Sequence, residues 1–315
     1  MKTKYFFLSV FLLLITSCKA KKSISDQKEI KKTENIEKLS FSADDLLNRV
    51  KYLSLDSLEG RETGTKGGIM ARDYVVSQFE KLNIQPLSSD FKQLFTFKSR
   101  SKTFEAANVL GLIKGNENPE KYIVISAHYD HVGIHDGEIY NGADDDASGT
   151  SALFAFAEYF KKYPPKHSVI LAAFEAEELG LQGAKHFVES NTIPKEQIVL
   201  NINLDMVGRN DNNELYAVGT NIYKKLKPLV ENIDLPENFK LLTGHDGFDG
   251  KQNWTFSSDH GPFHRAKIPF IYFGVEDHED YHKPTDDFEK IQPQFYINAV
   301  TAIISVFEKA DNMKL

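Results

Sequence analysis

Apolar positions along this chain follow two spacings. Over Ala43 to Leu53 and Gly67 to Leu82 they recur every three or four residues, the period of a helix with one buried face. Over Asn108 to Leu112, Tyr122 to Ala127, Ser168 to Phe174, Ile198 to Leu204 and Ile268 to Phe273 they form short runs bounded by polar residues. The run Tyr122-Ile123-Val124-Ile125-Ser126-Ala127 is the pattern of a strand buried on both faces. Further helices are predicted over Ser148 to Tyr163, which stops before Pro164-Pro165, around Leu179 to Ser190, and from Pro293 to about Ala310. Strands alternating with such helices predict an α/β fold, a mostly parallel sheet covered on both faces. In such sheets the chemistry sits just past the carboxyl ends of the strands.

The first forty residues follow neither spacing. Lys2 and Lys4, an apolar stretch from Tyr5 to Ile15, and then Thr16-Ser17-Cys18 read as a secretory signal peptide over residues 1–17 rather than a membrane span. The residues before Cys18 resemble the lipobox of bacterial lipoproteins. That resemblance implies cleavage before Cys18, acylation of its thiol and attachment to a membrane. Lys19 rather than Asp in the next position fits the periplasmic face of the outer membrane. Residues 18–40, rich in Lys, Glu, Ser and Asn, predict a flexible tether, and residues 41–315 a single domain. Cys18 is the sole cysteine of the 315 residues, so the exported domain forms no intramolecular disulfide.

Composition narrows the function. A chain that is 41% hydrophobic and 26% charged is neither wholly disordered nor a polytopic membrane protein. A net charge of −7 offers no basic footprint for nucleic acid. The residues able to do chemistry fall at the predicted strand ends: His128-Tyr129-Asp130-His131, Glu175-Ala176-Glu177-Glu178, Asp205, and a loop ending at His282. Between the first two lies Asn141-Gly142-Ala143-Asp144-Asp145-Asp146-Ala147-Ser148-Gly149. Carboxylates so crowded repel one another unless a cation neutralises them, and a mixed histidine and carboxylate set suits zinc or a similar divalent ion. Singly, each feature reads as a loop histidine, a helix cap or a solvated helix start. Their recurrence at successive strand ends points to a metal site.

Taken together, Leu58-Glu59-Gly60-Arg61, HYDHVG at 128–133, NGADDDASG at 141–149, FEAEELGLQG at 174–183, NLDMVG at 203–208, SDHGPF at 258–263 and YHKPTDDFEKI at 281–291 resemble peptidase family M28. The resemblance implies a three-layer α/β/α sandwich around a mixed, centrally parallel sheet, the zinc-dependent exopeptidase fold. It implies two Zn2+ ions, a peptide substrate, and hydrolysis that releases N-terminal residues. By position, Asp144 would bridge the two ions, with His128 and Asp205 completing one and Glu178 and His282 the other. Glu177 would be the general base, and Asp130 would orient His128 through its second ring nitrogen. The Asp144-Asp145 peptide would be cis. No tyrosine stands just before Ser258, where Thr255 and Phe256 occur, so Tyr272, Tyr281 and His260 remain alternatives for stabilising the oxyanion. The loop from Thr243 to Phe256, with Trp254, is expected to wall the substrate pocket.

Other readings compete. A zinc carboxypeptidase and a glutaminyl cyclase-like acyltransferase share the architecture, the latter with one metal. A non-catalytic binding module on this scaffold would have lost ligands, yet all are present. His278-Glu279-Asp280-Tyr281-His282 matches the H-E-x-x-H of single-zinc proteases, but that motif needs a helix, and Pro284 together with the nearby end of a strand at Phe273 opposes one.

Overall fold

The computed structural model describes residues 40–314, so the predicted signal peptide, Cys18 and nearly all of the predicted tether lie outside the described residues. Two helices open the described chain, α1 (Ala43–Leu53) and α2 (Lys66–Lys81). Ser42 caps α1 by accepting from the Asp45 N–H, and Thr65 caps α2 by accepting from the Gly68 N–H. A short edge strand β1 (Gln85–Pro86) precedes a hairpin of β2 (Lys92–Ser99) and β3 (Lys102–Ile113). Next come β4 (Asn118–His128), the small pair β5 (Gly133–His135) and β6 (Glu138–Tyr140), and α3 (Gly149–Lys162). They are followed by β7 (His167–Phe174), α4 (Gln182–Glu189), β8 (Ile198–Leu204) and β9 (Glu214–Val218). The chain closes with α5 (Lys227–Glu231), β10 (Lys240–Thr243), α6 (His260–Arg265), β11 (Phe270–Gly274) and α7 (Pro293–Asn312).

The main sheet runs β1-β3-β7-β4-β8-β11-β9-β10, with β2 paired to the outer edge of β3. Its centre, β7-β4-β8-β11, is parallel, whereas β3 on one side and β9 on the other run antiparallel to their central neighbours. The sheet is therefore mixed and centrally parallel, with helices on both faces. It is less uniformly parallel than the alternation of elements alone predicts, because the hairpin β2–β3 and the strand β9 add antiparallel flanks. Every residue of β7 is buried, as expected for a strand covered on both sides. On one face Val124, Ile170 and Phe174 pack with Phe187 of α4 and Phe263 of α6. On the other, α3 crosses the sheet, with Phe156 and Phe160 against Phe307 of α7.

Strands β2, β9 and β10 escape the sequence pattern. Most residues of β2 and β10 are exposed or only partly buried, so their apolar periodicity is weak. Helix α4 begins later than predicted because Leu181 takes a left-handed conformation, φ 60°, which is disfavoured for a branched side chain and lies outside a helix. The parallel centre brings the carboxyl ends of β4, β7, β8 and β11 to one rim, where the polar residues gather.

Candidate active site

The three consecutive aspartates part company. Asp146 turns inward and accepts hydrogen bonds from three backbone N–H groups: His128 (3.1 Å), Gly149 (2.8 Å) and Met206 (3.2 Å). It thereby caps α3 and ties it to the ends of β4 and β8. A side chain on Gly149 would meet the Asp146 carboxylate at 2.4 Å and the Leu204 carbonyl at 2.6 Å, so this approach requires glycine. Asp144 accepts from the Gly208 N–H at 2.6 Å and lies 3.1 Å from the His278 ring. Asp145 alone faces the strand-end histidines.

Its two carboxylate oxygens look in different directions. Oδ1 is 3.2 Å from His128 Nε2, which is itself 3.6 Å from Asp205 Oδ1. Oδ2 is 3.1 Å from His282 Nε2 and 3.8 Å from His131 Nδ1. Glu178 completes the second side, 3.4 Å from His282 and 2.9 Å from His131. Two overlapping sets result, His128–Asp145–Asp205 and His131–Asp145–Glu178, each with donor atoms within 4.8 Å of one another. The central position expected at Asp144 is therefore held by Asp145, and the cis peptide lies at Asp145-Asp146 rather than Asp144-Asp145. Adjacent aspartates are chemically equivalent, and only the turn of the backbone decides which one points to the rim. His128, Glu178, Asp205 and His282 come together around Asp145, where the resemblance places Asp144. His131, which stands in the same HYDHVG stretch and to which the resemblance assigns no role, joins them.

Several groups hold these side chains in place. Asp130 lies beside His128, its backbone carbonyl 3.1 Å and its carboxylate 3.7 Å from Nδ1. The same carboxylate accepts from the N–H groups of Glu177 and Glu178 and from the Thr63 hydroxyl. Ala176, at φ 62°, makes the turn after β7 that presents the two glutamates differently. Behind the site Arg61 is fully buried. Its guanidinium donates to the carbonyls of Leu53, Tyr129, Asn141, Gly142 and Asp145, clamping the loops that carry His128 and Asp145. Gly60, at φ 66°, permits this, since a Cβ there would come within 2.5 Å of the Gly133 carbonyl. The Asp286 carboxylate accepts from the Asp144 and Asp145 N–H groups.

Charge follows geometry. Burial opposes ionisation of Glu178 and Asp145 adds repulsion, yet His131 and His282 outweigh both and hold its carboxyl down at about 2. Burial likewise opposes protonation of His282, but Asp145 and Glu178 raise its pKa to about 10. Glu177 is different: burial pushes its carboxyl well above the ordinary carboxylate range, with only His128 drawing it down strongly. Both ring nitrogens of His131 and Glu178 Oε1 are buried without a hydrogen-bond partner. Against burial, the crowded carboxylates raise the pKa values of His128 and His282, the electrostatic demand that a divalent cation would meet, and the donor set of histidines and carboxylates fits zinc.

A cleft of about 380 Å³ opens over the cluster. Glu177, Trp254, Tyr272 and Tyr281 line it, and so does Gln252, so the loop from Thr243 to Phe256 does contribute wall. Trp254 stacks on His245 at 3.7 Å. His260 is not part of the cleft, and its Nε2 pairs with the Trp254 carbonyl. No helix spans His278 to His282. His278 faces Asp144, and Glu279 is exposed, so the H-E-x-x-H arrangement does not form.

The sequence model described as "Peptidase family M28" matches residues 108–307. Aminopeptidase YwaD of Bacillus subtilis (strain 168) is 32% identical over 214 residues, covering 63% of this chain and 44% of that protein. This chain thus spans less than half the length of that relative. Among solved structures, a zinc aminopeptidase from Bacillus subtilis superposes with a TM-score of 0.69 at 20% identity, covering 87% of this chain and 96% of that one. A glutaminyl cyclase from Bacteroides thetaiotaomicron superposes with a TM-score of 0.67 at 20% identity, covering 84% and 97%. At such identities the superpositions speak to the fold alone.

Proposed function

The chain belongs to peptidase family M28, and on that premise we propose that it is a dinuclear zinc aminopeptidase acting on peptides. The observation that carries this reading is Asp145, whose two oxygens each face a separate histidine and carboxylate pair. His128, Asp145 and Asp205 would hold one ion, and Asp145, Glu178 and His282 the other. Bound zinc would supply a Lewis acid for the scissile carbonyl and bring the pKa of a water toward about 7. Glu177 takes a proton from the attacking water and returns it to the leaving amine, a task suited to a carboxyl whose pKa burial has raised. Asp130 positions His128 from behind and fixes the peptide that carries Glu177.

The cleft favours the amino end of a substrate. Asp277 is on its wall, and neither lysine nor arginine is among the described residues that line it. A free α-ammonium therefore finds carboxylates, whereas the terminal carboxylate recognised by a carboxypeptidase would lack a cationic partner. The glutaminyl cyclase likeness keeps an acyltransferase as second reading. Zinc content and release of amine from aminoacyl substrates separate the three. Two ions with turnover, strongly reduced in Glu177→Gln without metal loss, supports the aminopeptidase. One ion with cyclisation of N-terminal glutamine supports the cyclase, and trimming from the carboxyl end supports the carboxypeptidase.

The same proposal places the enzyme outside the cytoplasm, tethered through acylated Cys18 to a membrane, on the periplasmic face of the outer membrane. Support comes from the basic, apolar and Thr16-Ser17-Cys18 segments in order. Metabolic labelling with palmitate tests it, with the label absent from Cys18→Ala.

A further inference from the structure

We propose that His131 is a further protein ligand of the ion on the Glu178 side, so that the two metal positions differ in the number of protein groups holding them. The proposal rests on the dinuclear reading above and extends it. His131 is 1% exposed, and both of its ring nitrogens lack a hydrogen-bond partner. Leaving such a ring unpaired costs free energy unless something outside the chain satisfies it.

Its surroundings identify what that is. Nδ1 is 2.9 Å from Glu178 Oε1, an ion-pair contact without hydrogen-bond alignment, and neither atom has a hydrogen-bond partner. Two atoms that close and mutually unsatisfied suit a shared cation better than a shared proton. Donors on one tetrahedral zinc, each at 2.0–2.1 Å, lie roughly 3.3 Å apart. The histidine-to-carboxylate separations here are 2.9 Å (His131 to Glu178 Oε1), 3.1 Å (His282 to Asp145 Oδ2), 3.4 Å (His282 to Glu178 Oε2) and 3.8 Å (His131 to Asp145 Oδ2), which bracket that value. The ring is also fixed in place. The His131 N–H donates to the Arg61 carbonyl at 3.3 Å, and the ring lies against Gly142, where a Cβ would come within 2.5 Å of Cδ2. Arg61 holds that glycine by its carbonyl at 2.9 Å.

The consequence is an asymmetric pair. The Glu178 side then draws on four protein residues, His131, Asp145, Glu178 and His282, whereas the His128 side draws on three and keeps an open position.

The test is metal binding and anomalous diffraction at the zinc edge for wild-type protein, His131→Ala and His131→Asn. The proposal expects two ions in the wild type, one of them about 2.0–2.1 Å from a His131 nitrogen. It expects the Glu178-side affinity of both variants to fall at least about tenfold, the lower bound for losing even an outer-sphere partner, while the His128-side ion is retained and reports that the variants are folded. Wild-type zinc lying more than about 3 Å from both His131 nitrogens overturns it, as do variants that bind both ions with unchanged affinity. The wild-type map decides the matter even if the variants fail to fold. One ion or none in the wild type instead overturns the dinuclear reading, and the role of His131 with it.

Discussion

The two sides of Asp145 are built differently. His128 is the last residue of β4 and Asp205 follows β8 directly, so two hydrogen-bonded neighbours in the parallel centre hold that side. A chain of buried polar contacts supports it from within the sheet: Asn201 to Ser126, Ser126 to Asn203, and Asn203 to Ser258. The other side rests on loops. Glu178 follows the left-handed turn at Ala176, and His282, 40% exposed in its side chain, sits at φ 51° in a loop anchored by the ion pairs of Asp280 with Arg209 and Lys290. A strand end positions a group through the sheet ladder at no additional cost in order, whereas a loop residue needs dedicated partners. The pairing of Asp280 serves the loop side alone, whereas the clamp of Arg61 and the brace of Asp130 reach both sides.

The strongest way to break this comparison is Asp145→Asn, which weakens both sides at once. Zinc content is expected to fall below two ions per chain and affinity by more than about 100-fold, beyond the usual range for outer-sphere partners. Asp144→Asn, by contrast, should retain both ions, since that carboxylate pairs with Gly208 and His278. Metal analysis of the two variants side by side checks the assignment. Glu177→Gln should leave both sides loaded and lower kcat by about 10²–10⁴-fold, read in steady-state assays.

Arg61→Ala attacks the support common to both sides. It removes a buried cation that satisfies five carbonyls, and the expected loss of about 3–5 kcal/mol is readable from denaturant midpoints. The smallest effect belongs to Glu175, whose carboxyl burial raises from 4.5 to about 7. The folded state then holds this proton more tightly than the unfolded chain. Its contribution to stability is full below about pH 4.5 and is lost as pH rises through about 7, a change of at most about 3 kcal/mol. Glu175→Gln should flatten that part of the stability profile in urea melts at pH 5 and pH 8.

Much of the framework is legible in the sequence. The predicted helix over Ala43 to Leu53 and strand over Ile198 to Leu204 coincide with the observed elements, because one is strongly amphipathic and the other almost wholly buried. Strand ends then lead directly to His128, Glu178 and Asp205. The edge strands were not legible, since exposed or half-buried strands carry little apolar signal. Nor was the choice among Asp144, Asp145 and Asp146. One became a loop fastener, one a shared carboxylate and one a helix cap, and nothing in three identical letters distinguishes them.

By itself, the sequence determined that this is an α/β chain with acid and imidazole groups waiting at strand ends, because burial periodicity and donor chemistry are local properties. The tertiary structure alone decided which aspartate reaches the cluster, that His131 joins it, and that His278 turns to Asp144 instead. Those choices depend on where Arg61, Gly142 and Gly149 let distant backbone segments approach. Such contacts join residues far apart in the chain, and no spacing within a motif encodes them.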